Sequence, residues 1–295
     1  MSIAKINEVT KANSQRVCGV VASSAAGGLL GIANINGAVA QPAFSTDYSI
    51  DLNGSNQYVN LSNVTGTAIN PTSTQINATG YTFTAWIYID TLSGGEYIYN
   101  LGSSGTNNYY GLKLVANGNG ALVWHIFGLN GSTPGSGSNN RNSVRTQNST
   151  IAAGQWYHVA AVIPSMTRSG WKLYVNGVSQ SSLVVSGNQN VNLTYSGSSS
   201  IGVWTKASPA NYFDGEINNA AIFDTDLNQT NMTAIYNSGT PINLLTNSGN
   251  YNTSGNLVAW WRFNEGTGTV YEDSSDEGLF EGEGVGTPGW STNVP

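Results

Sequence analysis

Aromatic side chains beside asparagine are the residues of this sequence with the clearest potential for chemistry. Three short segments that we expect near loops contain them, and they supply the candidate ligand-binding residues Asn107, Asn108, Tyr109, Tyr110, Trp204, Asn211 and Tyr212. A sugar offers apolar C–H faces and rings of hydroxyl groups, so its site needs an aromatic platform with amide and hydroxyl partners. The alternative for each candidate is packing, because most of the 8 Trp and 15 Tyr must fill or edge a core.

Three aspartates are candidate ligands for a metal ion. Calcium takes carboxylate and carbonyl oxygens, usually from loops, and Asp51, Asp214 and Asp273 all lie next to predicted turns. Aspartate also makes turns and caps helices without any ion. The sequence therefore allows a structural Ca²⁺ and indicates no other cofactor.

Catalytic carboxylates are the second chemistry sought. On a strand, residues i and i+2 share a face about 6.5–7 Å apart, so two acids at that spacing can present the pair that a glycoside hydrolase uses. The nearest frame begins at Glu216 but has Asn218 and Ala220 where further acids are required. We therefore expect no enzyme, with a glycoside hydrolase as the least favoured reading. His125 and His158 lie in predicted strands, where packing is the expected role.

Composition excludes several classes of protein. Of 295 residues only 9% are charged, against about 25% in a usual domain, and 10 basic against 16 acidic residues give a net charge of −6. So few cations argue against nucleic-acid binding, while 39% hydrophobic residues favour a folded core. We expect no membrane span, because no uninterrupted apolar run reaches about 18 residues. Residues 17–40 resemble a signal peptide in part, but Asn34 and Asn36 interrupt them, and the lone Cys18 is expected to be a buried apolar residue.

Short strands must position these candidates. Period-2 alternation and turn signals every 8–15 residues predict an all-β, antiparallel two-sheet sandwich that follows an extended N-terminal arm. A helix is predicted at 228–237, a long loop at 128–149 and an irregular segment at 272–295. The predicted strands are 49–52, 58–61, 81–89, 97–101, 109–115, 121–127, 156–163, 171–175, 178–185, 200–204, 216–223 and 257–263.

Six segments in order resemble the laminin-G-like, concanavalin A-like jelly rolls. They are SIDLNGSNQYV (49–59), YTFTAWI (81–87), QWYHVA (155–160), KLYVNGV (172–178), FDGEINNAAIF (213–223) and LVAWWRFNEG (257–266). This resemblance covers about residues 46–270 and implies a module that binds sugars, proteins or surfaces, often with a structural calcium.

Residues 1–45 differ from the rest, because they carry repeated aliphatic and turn-forming units such as Ile6-Asn7-Glu8-Val9 and no Trp or Tyr. They resemble the N-terminal arms of virion proteins of marine tailed phages. We therefore divide the chain into a docking arm (1–45), a sandwich (46–270) and an acidic, Gly-rich tail (271–295).

The preferred reading of this organisation is a non-enzymatic virion structural protein, displayed on the capsid or tail surface. It would contact other virion proteins through the arm, bind glycans or proteins through the sandwich, and form a homo-oligomer. The alternative is a free carbohydrate-binding lectin.

Overall fold

The structure, a computed structural model, describes residues 44–61, 68–102, 109–114, 118–127, 141–181, 184–186, 199–205 and 208–295. These residues contain two short α-helices, α1 (Ser73–Thr79) and α2 (Gln229–Tyr236). The strands are β1 (Ser49–Asn53), β2 (Tyr58–Asn60), β3 (Tyr81–Ile89), β4 (Tyr97–Gly102), β5 (Tyr109–Leu114), β6 (Leu122–Phe127), β7 (Arg141–Arg145), β8 (Trp156–Ile163), β9 (Lys172–Val175), β10 (Val178–Ser179), β11 (Val184–Ser186), β12 (Ser200–Ile201), β13 (Asp214–Phe223), β14 (Leu257–Trp261), β15 (Val270–Tyr271), β16 (Gly282–Val285) and β17 (Gly289–Ser291).

The strands form two antiparallel sheets. Sheet A has the order β10-β9-β8-β3-β13-β1-β17, and sheet B has the order β11-β7-β6-β5-β4-β12-β2-β16-β15. Along one edge, the long strand β13 pairs with two strands: its first half pairs with β1 and its second half with β14. The predicted all-β, two-sheet sandwich is confirmed.

The main core lies between the two sheets, where the inward-facing residues of each strand meet. Phe83 of sheet A stacks on Trp124 of sheet B, with ring centroids 4.8 Å apart and planes at 23°. Both side chains have no exposed surface. Full burial of such a side chain stabilises the fold by about 1.5–3 kcal/mol. The burial of the inward-facing side chains therefore stabilises the packing of the two sheets against each other.

A second apolar cluster covers part of the outer face of sheet A. Met232 and Ile235 of α2 pack with outward-facing residues of sheet A such as Tyr174 and Trp260. The helix begins after Asn228, whose side chain accepts the backbone N–H of Asn231, and the predicted helix at 228–237 is confirmed. The cover explains why outward positions of β3 and β8 are also buried.

Two predicted irregular regions contain strands. The predicted loop 128–149 includes β7, which pairs with β6 from Val123↔Arg145 to Phe127↔Arg141. The predicted irregular segment 272–295 includes β16 and β17, which extend sheets B and A. These strands are short and lack an extended apolar alternation, and backbone hydrogen bonds join them to their sheets without one. Position 282 has no room for a side chain, because a Cβ atom there would lie 2.5 Å from the Val59 side chain.

The predicted arm falls mostly outside the described residues, and so does Cys18. Its last two residues belong to the compact unit Phe44–Pro295. The Phe44 ring stacks on Trp260 at 5.9 Å, and the Ser45 carbonyl accepts a hydrogen bond from Arg262.

Within the described part of the chain, none of the helices has both the length and the apolar character needed to cross a bilayer.

Candidate functional site

The outer face of sheet B carries a set of aromatic side chains in neighbouring register rows. Across β5, β6 and β7, one row is Lys113–Val123–Arg145 and the next is Gly111–His125–Ser143. A third row places Tyr109 beside Phe127. Because alternate residues share a face, these positions all point away from the core that Leu112 and Trp124 enter.

Two further rings complete this group from neighbouring elements. Tyr97 of β4 hydrogen-bonds His125 through its hydroxyl group, with an Oη to Nε2 distance of 3.2 Å. Trp204, just after β12, stacks on Tyr97 at 5.9 Å and 12°. Tyr109 lies between Trp204 (5.8 Å) and Phe127 (4.8 Å). We call Tyr97, Tyr109, His125, Phe127 and Trp204 the aromatic face.

Glycine at position 111 makes room for this arrangement. A Cβ atom there would lie 2.7 Å from the carbonyl oxygen of Tyr99, 3.0 Å from the Tyr97 ring and 3.2 Å from His125 Nε2. The Tyr97 and His125 rings therefore approach the space that a side chain would otherwise fill. The close packing of the aromatic face depends on the small residue at its centre.

Only the rim of the aromatic face reaches solvent. Tyr97, Tyr109 and His125 are 1%, 6% and 2% exposed, whereas Phe127 and Trp204 are partly exposed. The cations Lys113 and Arg145 border the group, and Lys113 Nζ lies 5.1 Å from the centre of the Tyr97 ring. The rim therefore combines an apolar ring surface with partly exposed positive groups.

The structure separates the predicted ligand-binding residues. It brings Tyr109 and Trp204 together in the aromatic face, while Asn107 and Asn108 lie outside the described residues. Tyr110 was wrong as a surface candidate, because alternation turns it into the core against Phe83 and Trp124.

The remaining two candidates lie near the start of β13. The Asn211 carbonyl accepts the Tyr97 backbone N–H, and its side chain lies beside Gly95. The Tyr212 ring contacts Tyr58 at 6.3 Å. Asn211 therefore supports the strand that carries Tyr97, whereas Tyr212 packs on a different neighbour.

Sequence reasoning missed Tyr97, His125 and Phe127. The signal was present, because apolar residues at 122, 124 and 126 place 123, 125 and 127 on the opposite face of the same strand. The same rule joins Tyr109 to Lys113 and separates it from Tyr110.

The predicted calcium ligands Asp51 and Asp214 belong to a group of neighbouring carboxylates. Asp51 lies opposite Glu216 in the pairing of β1 with β13, and Asp214 lies opposite Asn53. Burial is the main cause that raises the pKa values of Asp51 and Asp214, and the charge of Asp90 raises both further. Among the described residues, no three His, Cys, Asp or Glu side chains have the spacing to hold a metal ion. Calcium at Asp51 and Asp214 stays a prediction that a calcium titration of thermal stability can test.

Asp273 is held by hydrogen bonds from the protein itself, and its role as a metal ligand stays a prediction. One carboxylate oxygen accepts the backbone N–H groups of Trp260 (2.9 Å) and Ser275 (3.0 Å). The other accepts those of Leu279 and Phe280, both at 3.1 Å. With the side chain 2% exposed, these four donors occupy the oxygens that an ion would need.

Glu216, the first residue of the catalytic frame, is covered by the C-terminal strand region. Ser291 and the Asn293 side chain both donate to its Oε1 at 3.2 Å. Burial is the main cause that raises its pKa. Asn218 binds the Tyr48 carbonyl through its amide, which is a structural contact. Glu216 and Asn218 therefore connect β13 to the C-terminal segment at 291–293 and to the segment at Tyr48.

The class of protein follows from these features: a lectin-like β-sandwich with an aromatic surface on its larger sheet. A family model described as the concanavalin A-like lectin/glucanases superfamily, of the laminin G type, matches residues 53–233. This span exceeds half of the chain, and the protein belongs to that superfamily. It also contains the whole aromatic face.

Solved structures are similar to this one at low sequence identity. A candidate carbohydrate binding protein from Bacteroides ovatus is 14% identical with a TM-score of 0.53, over 85% of this chain and 61% of that chain. The CBM40 module of a Ruminococcus gnavus IT-sialidase is 14% identical with a TM-score of 0.48, over 65% and 99%. A heptameric SAP-like pentraxin from Limulus polyphemus is 16% identical with a TM-score of 0.44, over 65% and 82%. A search of curated protein sequences gives no match.

Proposed function

We propose that this protein is a non-enzymatic carbohydrate-binding module and that its ligand lies on the aromatic face of sheet B. The observation that carries this proposal is the contact of three rings: Phe127 stacks on Tyr109, Trp204 packs against Tyr109 at a tilt, and Phe127 and Trp204 are partly exposed. A sugar ring can place its C–H face on such rings. The proposal agrees with the carbohydrate-binding description of the Bacteroides ovatus relative.

Polar and charged groups at the same rim would orient the ligand. Lys113 and Arg145 lie on either side of Val123 in the register row next to that of His125. Arginine and lysine donate hydrogen bonds to hydroxyl groups and more strongly to carboxylate or sulfate groups. The proposal therefore favours glycans with acidic substituents over the corresponding neutral glycans.

A glycan array followed by calorimetry tests the proposal. We expect the protein to select glycans from an array of neutral and acidic oligosaccharides. Trp204→Ala should weaken binding of the best glycan at least tenfold, because stacking on one ring contributes about 1 kcal/mol or more beyond the apolar area that it buries.

Trp156→Ala is the matched control. Trp156 is a partly exposed tryptophan on sheet A, where its indole N–H donates to Asn293. Equal loss of binding in both variants, or saturable binding that Trp204→Ala leaves intact, would place the ligand elsewhere.

The virion role, the homo-oligomer and the docking function of residues 1–45 stay predictions from the sequence. The described residues begin at Phe44, and the similarity to the Bacteroides ovatus carbohydrate binding protein concerns the sandwich alone. The family match and the Bacteroides ovatus similarity support the alternative reading, a carbohydrate-binding lectin module, better than the virion role.

A further inference from the structure

Trp204 lies in a short segment of the chain between β12 and β13, outside both strands. Trp204 and Ala210 form an isolated antiparallel bridge, with backbone hydrogen bonds of 3.0 and 3.2 Å between them. A partly exposed tryptophan in such a segment can adopt several rotamers unless its surroundings fix it. The orientation in which Trp204 stacks on Tyr97 therefore depends on how the neighbouring backbone is held.

Asn100 of β4 holds the residue that follows Trp204. Its side-chain Oδ1 accepts two hydrogen bonds from Thr205, one from the backbone N–H at 2.9 Å and one from the hydroxyl group at 2.8 Å. Asn100 has no exposed surface, and Thr205 is buried. Loss of this oxygen would remove the acceptor of two buried donors, which costs free energy. The contact therefore fixes the backbone on the C-terminal side of Trp204.

Ser200 of β12 holds the residue that precedes Trp204. Its hydroxyl group donates to the Val203 carbonyl at 2.9 Å. Ser200 lies directly opposite Asn100 in the pairing of β12 with β4, so the two side chains share one face of sheet B. Asn100 also lies opposite Gly111, and the pair therefore continues the row of Gly111 and His125 beneath the aromatic face.

We propose that Asn100 and Ser200 are positioning residues of the glycan site. They fix the backbone on both sides of Trp204 and so hold its ring against Tyr97 before a glycan binds. A ring that is already held loses little conformational freedom on binding, so its affinity is higher than that of a mobile ring. Both side chains are fully buried and act without touching the ligand. The effect on affinity rests on the proposed carbohydrate-binding function, whereas the effect on the ring does not.

The mobility of the Trp204 indole in the free protein tests the positioning itself. In ¹⁵N relaxation measurements, its N–H group should have an order parameter near the rigid value of about 0.85 in the wild type and below about 0.6 in Asn100→Leu. Thr205→Val keeps the shape of the side chain but removes one donor, and it should give an intermediate value. Thr205→Ser keeps both donors and should restore the wild-type value.

Trp124 is the internal control for these measurements, because it has no exposed surface and lies in the core. Its order parameter should stay the same in every variant, which separates a local release of Trp204 from general loosening of the fold. An unchanged order parameter of Trp204 in both Asn100→Leu and Thr205→Val would overturn the proposal.

Binding of the glycan that the array selects tests the consequence for affinity. Asn100→Leu should weaken it at least fivefold, although every ring of the aromatic face is retained. Asn70→Leu is the matched control: Asn70 is also a buried asparagine, but its Oδ1 accepts the Ser199 hydroxyl group at 2.7 Å, away from the residues beside Trp204. Equal losses in the two variants would contradict a specific role of Asn100. If the wild type binds no glycan, the proposed function fails, while the relaxation measurement still decides whether Asn100 holds Trp204.

Discussion

Asp273→Ala should lower the free energy of unfolding by about 3–5 kcal/mol, because it leaves four backbone N–H groups without their acceptor. The carboxylate joins Trp260 on β14 to the turn at Ser275 and to Leu279 and Phe280. Trp260, Ser275 and Phe280 are buried, so water cannot replace their lost hydrogen bonds without entering the region, whereas Leu279 is exposed. Urea unfolding followed by tryptophan fluorescence measures the change.

Asp276→Ala is the control for this substitution. Asp276 lies in the same turn and is exposed, so its variant removes the same charge from the surface. We expect a change within about 0.5 kcal/mol there. A loss below about 1 kcal/mol for Asp273→Ala would mean that the turn can re-form its hydrogen bonds with other acceptors.

Acid should destabilise the protein through His158. Burial lowers the pKa of His158 from 6.5 to about 3. Both ring nitrogens are buried without a partner in the described part of the chain, and the ring packs 5.3 Å from Trp86. The unfolded chain therefore binds a proton between pH 6.5 and about 3 that the folded chain does not bind. Its contribution to stability is complete above pH 6.5 and falls by about 1.4 kcal/mol per pH unit below it.

His158→Phe isolates this effect from the carboxylates. Burial raises the pKa values of Asp51, Asp214 and Glu216, so protonation of these groups favours the folded state and opposes the histidine. They remain unchanged in the variant. Relative to the wild type, the variant should gain about 2–3 kcal/mol when the pH falls from 6.5 to 4.5, by urea unfolding at each pH. An equal difference at both pH values would show that His158 does not titrate on unfolding.

The sequence predicted those parts of the fold that depend on side-chain alternation. The pattern of β3 and β8, with β-branched and aromatic residues in period 2, is the pattern that a sheet core requires. β7 and β16 escaped prediction because they join sheet B through backbone hydrogen bonds and are too short and polar to show a period-2 apolar pattern. Helix α1 was not predicted because it has a single buried apolar residue, Ile76, and so shows no apolar stripe. Its start is stabilised by a capping box between Thr72 and Gln75.

The candidate site was predicted in part for the same physical reason. Tyr109 and Trp204 were chosen from the sequence for their aromatic type alone, and the structure places them side by side although 94 residues lie between them in the chain. Only the sheet order places β12 beside β4 and so brings Trp204 against Tyr97. For Asp273, the sequence gives the acid but not the four amide groups that converge on it, because these come from a turn and a separate strand.

The aromatic face is tested most directly by the indole N–H resonance of Trp204 in a ¹H–¹⁵N NMR titration with the glycan that the array selects. The eight tryptophans of the chain lie on both sheets, so indole signals far from the aromatic face serve as internal controls in the same spectrum. We expect the Trp204 resonance to shift most, while Trp156 and Trp290, on strands of sheet A, stay in place. Saturation with large shifts at Trp156 or Trp290 and none at Trp204 would contradict a binding site on the outer face of sheet B.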